Sequence, residues 1–325
     1  MKRRQVLALP LIVLPLLAGT AHGQAKPWPS QPLRFIVPFA PGGGSDLIAR
    51  ALSNELKDIM GTPVIVENKA GANGAIATQA LAHAGTDGYA VMICSPGIQI
   101  TNRFLYERLG YDPDKDIAPV VQIAKLPNLM VVHPSVPAQS VSELIAYARA
   151  NPGKLNFAST GNGASSHLAC ELFKMMAQVE ITHVPFLGSA PAATNLIGGH
   201  VQMTIDSLTA MYRHVQAGNL RVLGVSTAKR LPDYPDIPAI AETLPGFEGS
   251  SMVYAAAPGG TPPALIAKLN EAFNQALDHP RVKGRFKELG MAAPSGGTLP
   301  ELVSTIGSET EKWKRVIEAA KLKKI

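Results

Sequence analysis

From residue 33 onward, short β-branched runs alternate with helical repeats, and that grammar narrows the fold more than any other property of the chain. "LRFIVPF", "PVIVENK" and "GYAVMIC" are bounded by Pro or Gly and rich in Val and Ile, which predicts strands. Between the first two, Ile48, Leu52, Leu56 and Ile59 recur at helical spacing until Gly61 stops them, and "NGAIATQALAHA" predicts a second helix. Strands separated by helices pair in parallel and carry the helices on their faces. The pattern then restarts. "NLMVV", "KLNFAST", "HVPF", "VQMTID" and "RVLGVSTA" predict strands, with helices opened by the Ser140/Glu143 capping box and spread over "SAPAATNLIGG" and "LTAMYRHVQAG". "SMVYAAAPGGTPPALIAKLNEAFNQAL" repeats the strand, proline and helix of "NLMVVHPSVPAQSVSELIAYARA", and a helical tail opens on a second capping box at Thr298/Glu301. The expected fold is α/β with two lobes, each a mostly parallel sheet flanked by helices. Two crossovers near residues 124 and 250 divide the chain into 24–123 plus 251–325, and 124–250. Two crossings make a hinge, and a cleft between lobes is where a small ligand belongs.

The first residues stand apart from this pattern. "MKRRQ" is basic, "VLALPLIVLPLLAG" is apolar but shorter than the ~20 residues a spanning helix needs, and "TAHGQA" offers small residues for cleavage. Residues 1–23 therefore read as a removable export signal cut after Gly23, with Ala21 and Ala25 as alternative sites, and the mature chain as periplasmic. The signal holds three of the 30 Lys and Arg and no acid, so the mature chain keeps 27 bases against 24 acids, a net +3. That charge is too small and too dispersed for a nucleic-acid surface. Cys94 ends an apolar strand and Cys170 sits on a helix, so two buried, unpaired thiols are expected despite the oxidising compartment.

Four loops share one construction. "VPFAPGGGSD" runs from a strand through Phe39, Gly42, Gly43 and Gly44 to a helix opening at Ser45 and Asp46. "MICSPG" places Ser95 after a strand, and "FASTGNGASSH" leads from Ser159 and Thr160 through Gly163 and Ala164 to a helix at Ser165. "HVPFLGSA" leads through Gly188, Ser189 and Ala190 into another. A helix N-terminus offers unpaired N–H groups and the positive end of the helix dipole, which suits an anion without any arginine. Glycines there also permit tight packing with Ser45 as a cap, so the first loop alone leaves site and packing open. Four such loops at the carboxyl ends of strands predict a cleft lined by amides and hydroxyls.

Other chemistry fits less well. The glycine loop lacks the Gly-Lys-Ser/Thr of a P-loop, and the third glycine of a dinucleotide fingerprint falls on Leu47. Ser165, His167 and Asp206 are the residue types of a hydrolase, but no Gly-x-Ser-x-Gly elbow surrounds Ser165, and residues two apart on a helix point in different directions. His167 is better explained as bonded to nearby backbone. The histidines and cysteines show no metal-ligand spacing, and "YDPDKD" lacks the glycine and glutamate of a calcium loop. Asp206 closes the strand "VQMTID" as a lone acid; it either accepts backbone N–H groups or meets a donor on the ligand.

Taken together, "RFIVPFAPGGGSDLIARAL", "VIVENKAGANGAIAT", "TDGYAVMI", "YDPDKDIAPVVQIA", "NPGKLNFASTGNGASSHLACELF", "HVPFLGSAPAATNLIGGHVQMTIDS", "AGNLRVLGVSTAKR" and "APGGTPPALIAKLN" resemble, in order, the substrate-binding proteins of tripartite tricarboxylate transporters, also called Bug receptors. The likeness runs from Trp28 to the C-terminus. It implies a periplasmic Venus flytrap of type II-like architecture that holds a small organic acid and delivers it to large and small integral membrane permease subunits. The matched ligand contacts are Phe39, Gly42 to Asp46, Ser95, Ser159 to Ser165, Gly188 to Ala190 and Asp206, with His167 matching a recurrent histidine. A monomer without metal, cofactor or catalysis is expected; a receptor reporting to a membrane sensor and a Ser165/His167 hydrolase are the alternatives. Phe186 and Leu187 stand where relatives often carry Tyr and Lys, which leaves the ligand's identity open.

Overall fold

The computed structural model describes residues 28–324 apart from 40, 43, 290 and 292, so the export signal, its cleavage site and Gly43 lie outside the described residues. Two five-stranded sheets form the frame. The first runs β2 (Val64–Asn68), β1 (Leu33–Val37), β3 (Ala90–Cys94), β10 (Ser251–Pro258), β4 (Ile117–Leu126). The second runs β7 (Thr182–Pro185), β6 (Asn156–Ser159), β8 (Met203–Ser207), β5 (Asn128–Val132), β9 (Arg221–Val225). In each sheet four strands share a direction and one is reversed: β10 is antiparallel to β3 and β4, and β5 to β8 and β9. The reversed strand is the one the chain forms just after crossing from the other sheet. β4 continues in the first sheet to Leu126, past the expected division at residue 123. It was not legible as a strand because Pro119 interrupts it; as an edge strand it can spare one donor, and the register against β10 shifts beside that residue.

Ten helices among the described residues cover the sheets: α1 (Gly44–Met60), α2 (Ala75–Ala82), α3 (Asn102–Leu105), α4 (Val141–Ala150), α5 (Ser165–Ala177), α6 (Ser189–Ile197), α7 (Leu208–Gln216), α8 (Pro263–Asp278), α9 (Pro280–Glu288) and α10 (Leu299–Ala319). Both expected capping residues work: Ser140 Oγ accepts from the Glu143 N–H at 3.2 Å, and Thr298 with Glu301 closes a full reciprocal box. One core packs α1 and α8 on the first sheet, where Phe35 meets Phe273 edge-on at 5.7 Å. Another packs α6 and α7 on the second sheet through Leu196, Leu208 and Met211. A third is shared, joining Ile36 and Met92 to Phe157 and Phe173 and to Trp313 of α10. The C-terminal helix therefore belongs to both halves, and Lys312 Nζ donates to the Glu248 carbonyl at 3.0 Å to tie it to the return passage.

The two passages between sheets, at Pro127 and over residues 226–250, are stitched together where they meet. Asn128 N–H donates to Ser226 Oγ at 2.8 Å, Asn128 Nδ2 donates to the Gly249 carbonyl at 3.0 Å, and Ser226 N–H returns a bond to the Asn128 carbonyl at 2.9 Å. Buried polar groups fully paired in this way fix a pivot at low cost. Cys94 and Cys170 are buried, unpaired thiols, and burial pushes both up from the usual thiol range.

Candidate functional site

The carboxyl ends of β1, β3 and β6 bring Phe39, Ser95, Thr160, Gly163, Ala164 and Ser165 around one cavity of about 310 Å3 between the sheets. Asn73, Thr101, Leu168, Ser250, Ser251 and Trp313 complete much of its wall, and no basic side chain lines it among the described residues. Five of these six come from segments with no local pattern joining them to the site: the turn before α2, the end of the segment after β3, the return passage with the start of β10, and the C-terminal helix. Gly42, Gly44, Ser45, Asp46, Ser159, His167, Gly188, Ser189, Ala190 and Asp206 do not line this cavity; they stand behind or beside its loops.

Asp46 explains why. Its side chain is only 2% exposed and faces back into its own loop. Oδ2 accepts from the Gly42 N–H and from Arg50 Nε, each at 2.9 Å, while Oδ1 accepts from Asn68 Nδ2 at 3.0 Å. The same Asn68 amide reaches the Phe39 carbonyl at 3.0 Å. The Arg50 guanidinium, with the Gly42 and Asn68 donors, holds the Asp46 carboxyl down to about 2. The N-terminus of α1 thus already carries its own anion, and Gly42 supplies the positive φ of 81° that lets the loop fold back onto it. Asp46 braces the wall that presents Phe39, with both carboxylate oxygens engaged inside the loop.

The N-terminus of α5 is different. Its cap residue Ala164 has extended backbone and no side-chain cap bond, and the helix opens at Ser165 on the cavity. Behind it the loop is braced from within. Ser166 Oγ accepts from the Thr160 N–H at 2.9 Å, and the Gly163 N–H donates to His167 Nδ1 at 2.9 Å. His183 Nε2 and Ser159 Oγ are 2.6 Å apart. Phe157, His183 and His167 form a stack, with the two imidazoles 3.8 Å apart and 11° from parallel. Burial is the main force pulling His167 down to about 3 and His183 to about 4, so both are neutral at pH 7. Gly163, at φ 73°, packs against Leu105 of α3 so closely that a Cβ would overlap Leu105 Cδ1. That contact joins the two halves across the cleft.

These bonds dispose of the serine hydrolase geometry. His167 Nδ1 is occupied by the Gly163 amide and Nε2 points toward Glu171 Oε1 at 3.8 Å; no hydrogen bond joins it to Ser165 among the described residues. His167 positions the loop. Asp206 shows the first of the two behaviours expected for it. Oδ1 accepts from the Ser207 N–H at 2.7 Å, Oδ2 has no partner among the described residues, and burial raises the carboxyl above its usual range. No group of three or more potential metal ligands occurs among the described residues. The segment after Ser95, expected as a loop, is instead a π-helical turn from Gly97 to Thr101 leading into α3. A smaller cavity of about 220 Å3 lies behind the same loop, between Leu105, Gly163, His167 and the C-terminal Leu322 and Lys323. The larger one receives the α5 N-terminus and the hydroxyls.

Two mixed α/β sheets with a hydroxyl- and amide-lined cavity between them are the architecture of two-lobed periplasmic binding proteins. The chain belongs to the tripartite tricarboxylate transporter family receptors, whose model matches residues 48–322. Receptors of this family are periplasmic solute-binding proteins, as the motif resemblance implied. The chain is 34% identical to protein BugT of Bordetella pertussis, over 99% of this chain and 100% of that one. A Rhodopseudomonas palustris protein solved with adipate shares 38% identity and a TM-score of 0.79, covering 92% of this chain and 100% of its own. MatC from Rhodopseudomonas palustris, solved with bound malate, shares 32% identity and a TM-score of 0.74, covering 89% and 100%.

Proposed function

We propose that this protein captures a small organic acid in the cavity between its two lobes and delivers it to the large and small membrane subunits of a tripartite transporter. In this reading residues 1–23 export it to the periplasm, 24–123 with 251–325 and 124–250 act as the lobes, and it performs no catalysis. The observation that carries the reading is the uncapped N-terminus of α5 at a cavity of about 310 Å3 that no basic side chain lines among the described residues. First-turn amides and Ser or Thr hydroxyls can hold a carboxylate by hydrogen bonding, without a cation to neutralise it. The volume suits a ligand of a few carbon atoms, at the low end of small-molecule sites. The adipate and malate held by relatives are acids of this size and kind.

Isothermal titration of the mature protein against mono-, di- and tricarboxylates and aromatic acids tests the reading. At least one acid should bind at one site per chain. Failure of every acid to bind correctly folded protein would remove the transport function. Gly44 does not line the cavity and a Cβ there meets nothing within 4 Å, so Gly44→Val should fold normally and bind the acid with little loss. Abolished binding in that folded variant would move the cradle onto the glycine loop.

A further inference from the structure

We propose that Thr101 is a specificity-determining residue, reading a second hydrogen-bonding group on the ligand; this rests on the carboxylate reading above. Thr101 ends the π-helical turn, lines the cavity and is 1% exposed, and its Oγ1 has no hydrogen-bond partner among the described residues. Leaving a buried hydroxyl unpaired costs roughly 1–3 kcal/mol, so one kept at a cavity wall calls for a partner there. Its neighbours show that the segment can satisfy polar groups. Gln99 accepts from Tyr254 Oη at 2.8 Å and donates to the Pro113 carbonyl at 3.1 Å. Asn102 accepts from Asn73 Nδ2 at 2.8 Å and donates to the Asn73 carbonyl at 3.2 Å. Trp28, Asp206 and Glu248 also hold an unpartnered buried atom, but none of them lines this cavity.

Two other wall residues offer the ligand no hydrogen bond. The Trp313 indole N–H is committed to Glu309 Oε2 at 2.7 Å, so Trp313 offers the cavity only ring surface, and Leu168 adds an apolar side chain. A ligand whose carboxylate lies on the α5 terminus and whose far end is apolar would leave the Thr101 hydroxyl buried and unmet. A ligand ending in a hydroxyl or a second carboxylate would meet it, since a threonine hydroxyl both donates and accepts. A site built to bond a polar group discriminates strongly against the analogue that lacks it, because its own group is then stranded.

The test uses matched acids that differ only at the far end: butyrate, 4-hydroxybutyrate and succinate, and hexanoate, 6-hydroxyhexanoate and adipate. Titration calorimetry compares wild type, Thr101→Val and Thr101→Ser. For the chain length that binds, wild type should favour the polar-ended acids over the methyl-ended one by about tenfold or more, the factor a net hydrogen bond of about 1.4 kcal/mol supplies. Thr101→Val should erase that preference while binding the methyl-ended acid as well as or better than wild type, and Thr101→Ser should keep it. The thermal midpoint of unliganded Thr101→Val should equal or exceed wild type, because a stranded hydroxyl has been removed; a lowered midpoint would assign Thr101 a packing role instead. Unchanged selectivity in Thr101→Val overturns the proposal while leaving the carboxylate site standing. Binding of none of the six acids to wild type, while another acid of the wider panel binds, overturns the subsite alone; failure of every acid overturns the carboxylate reading with it.

Discussion

Replacing Asp46 by Asn keeps the shape of the side chain and removes its charge, and the surrounding bonds set the size of the effect. The carboxyl is held down to about 2 from its usual 3.8, chiefly by Arg50 and then by the Gly42 N–H and Asn68 Nδ2. A displacement of that size corresponds to roughly 2 kcal/mol of folding free energy at neutral pH. The Arg50 side chain is 54% exposed and solvent screens the pair, so about 1–2 kcal/mol is the expected cost of Asp46→Asn. Urea unfolding at pH 7 should show a lower midpoint with an unchanged slope. A carboxyl depressed in the fold contributes stability that is complete above the unfolded value of 3.8 and is lost as pH falls through about 2. The gap between wild type and variant should therefore stay constant from pH 7 to about 5, shrink below 4 and close near 2. The loosened glycine loop should also weaken ligand binding. Equal stability at pH 7, or a gap that ignores acid, would refute the role assigned to Asp46.

Gly163→Ala places a Cβ on Leu105 Cδ1 and forces an L residue to φ 73°; it should cost about 1–3 kcal/mol in thermal unfolding and weaken acid binding by spreading the lobes, and unaltered stability would contradict the interlobe contact. His167 and His183 titrate in the fold near 3 and 4, below the usual 6.5, so the unfolded chain takes up protons first and stability should decline as pH falls from about 6.5 toward 4. Denaturant unfolding of His183→Phe, which can keep the stack on Phe157, should show a shallower decline, by about one proton.

How much of this was legible depended on how local each cause is. Strands β3 and β5 announce themselves because they are buried on both faces and so read as nearly unbroken apolar runs, and β1 does so with only Arg34 interrupting. β4 does not, since Pro119 and the polar positions Gln122 and Lys125 interrupt a strand that an edge position tolerates. The hydroxyl and glycine loops were visible as site material, because a strand, a glycine turn and a helix follow one another within a dozen residues. What each residue faces was not. Asp46 turns inward because Asn68 arrives from β2, and His167 because His183 arrives from β7; neither partner is near in sequence. Thr101, Ser250 and Trp313 reach the cavity only through the crossing of the chain between sheets, a tertiary fact with no local pattern.

The central claim is that a carboxylate lies on the amides at the start of α5, and amide NMR observes those groups individually. In 15N-labelled mature protein, a bound acid from the calorimetric panel should move the resonances of Ala164, Ser165 and Ser166 most, with Ser95 and Thr160 following, and leave Gly42 and Asp46 less affected. Saturable shifts confined to other regions, with residues 164–166 unmoved, would contradict it.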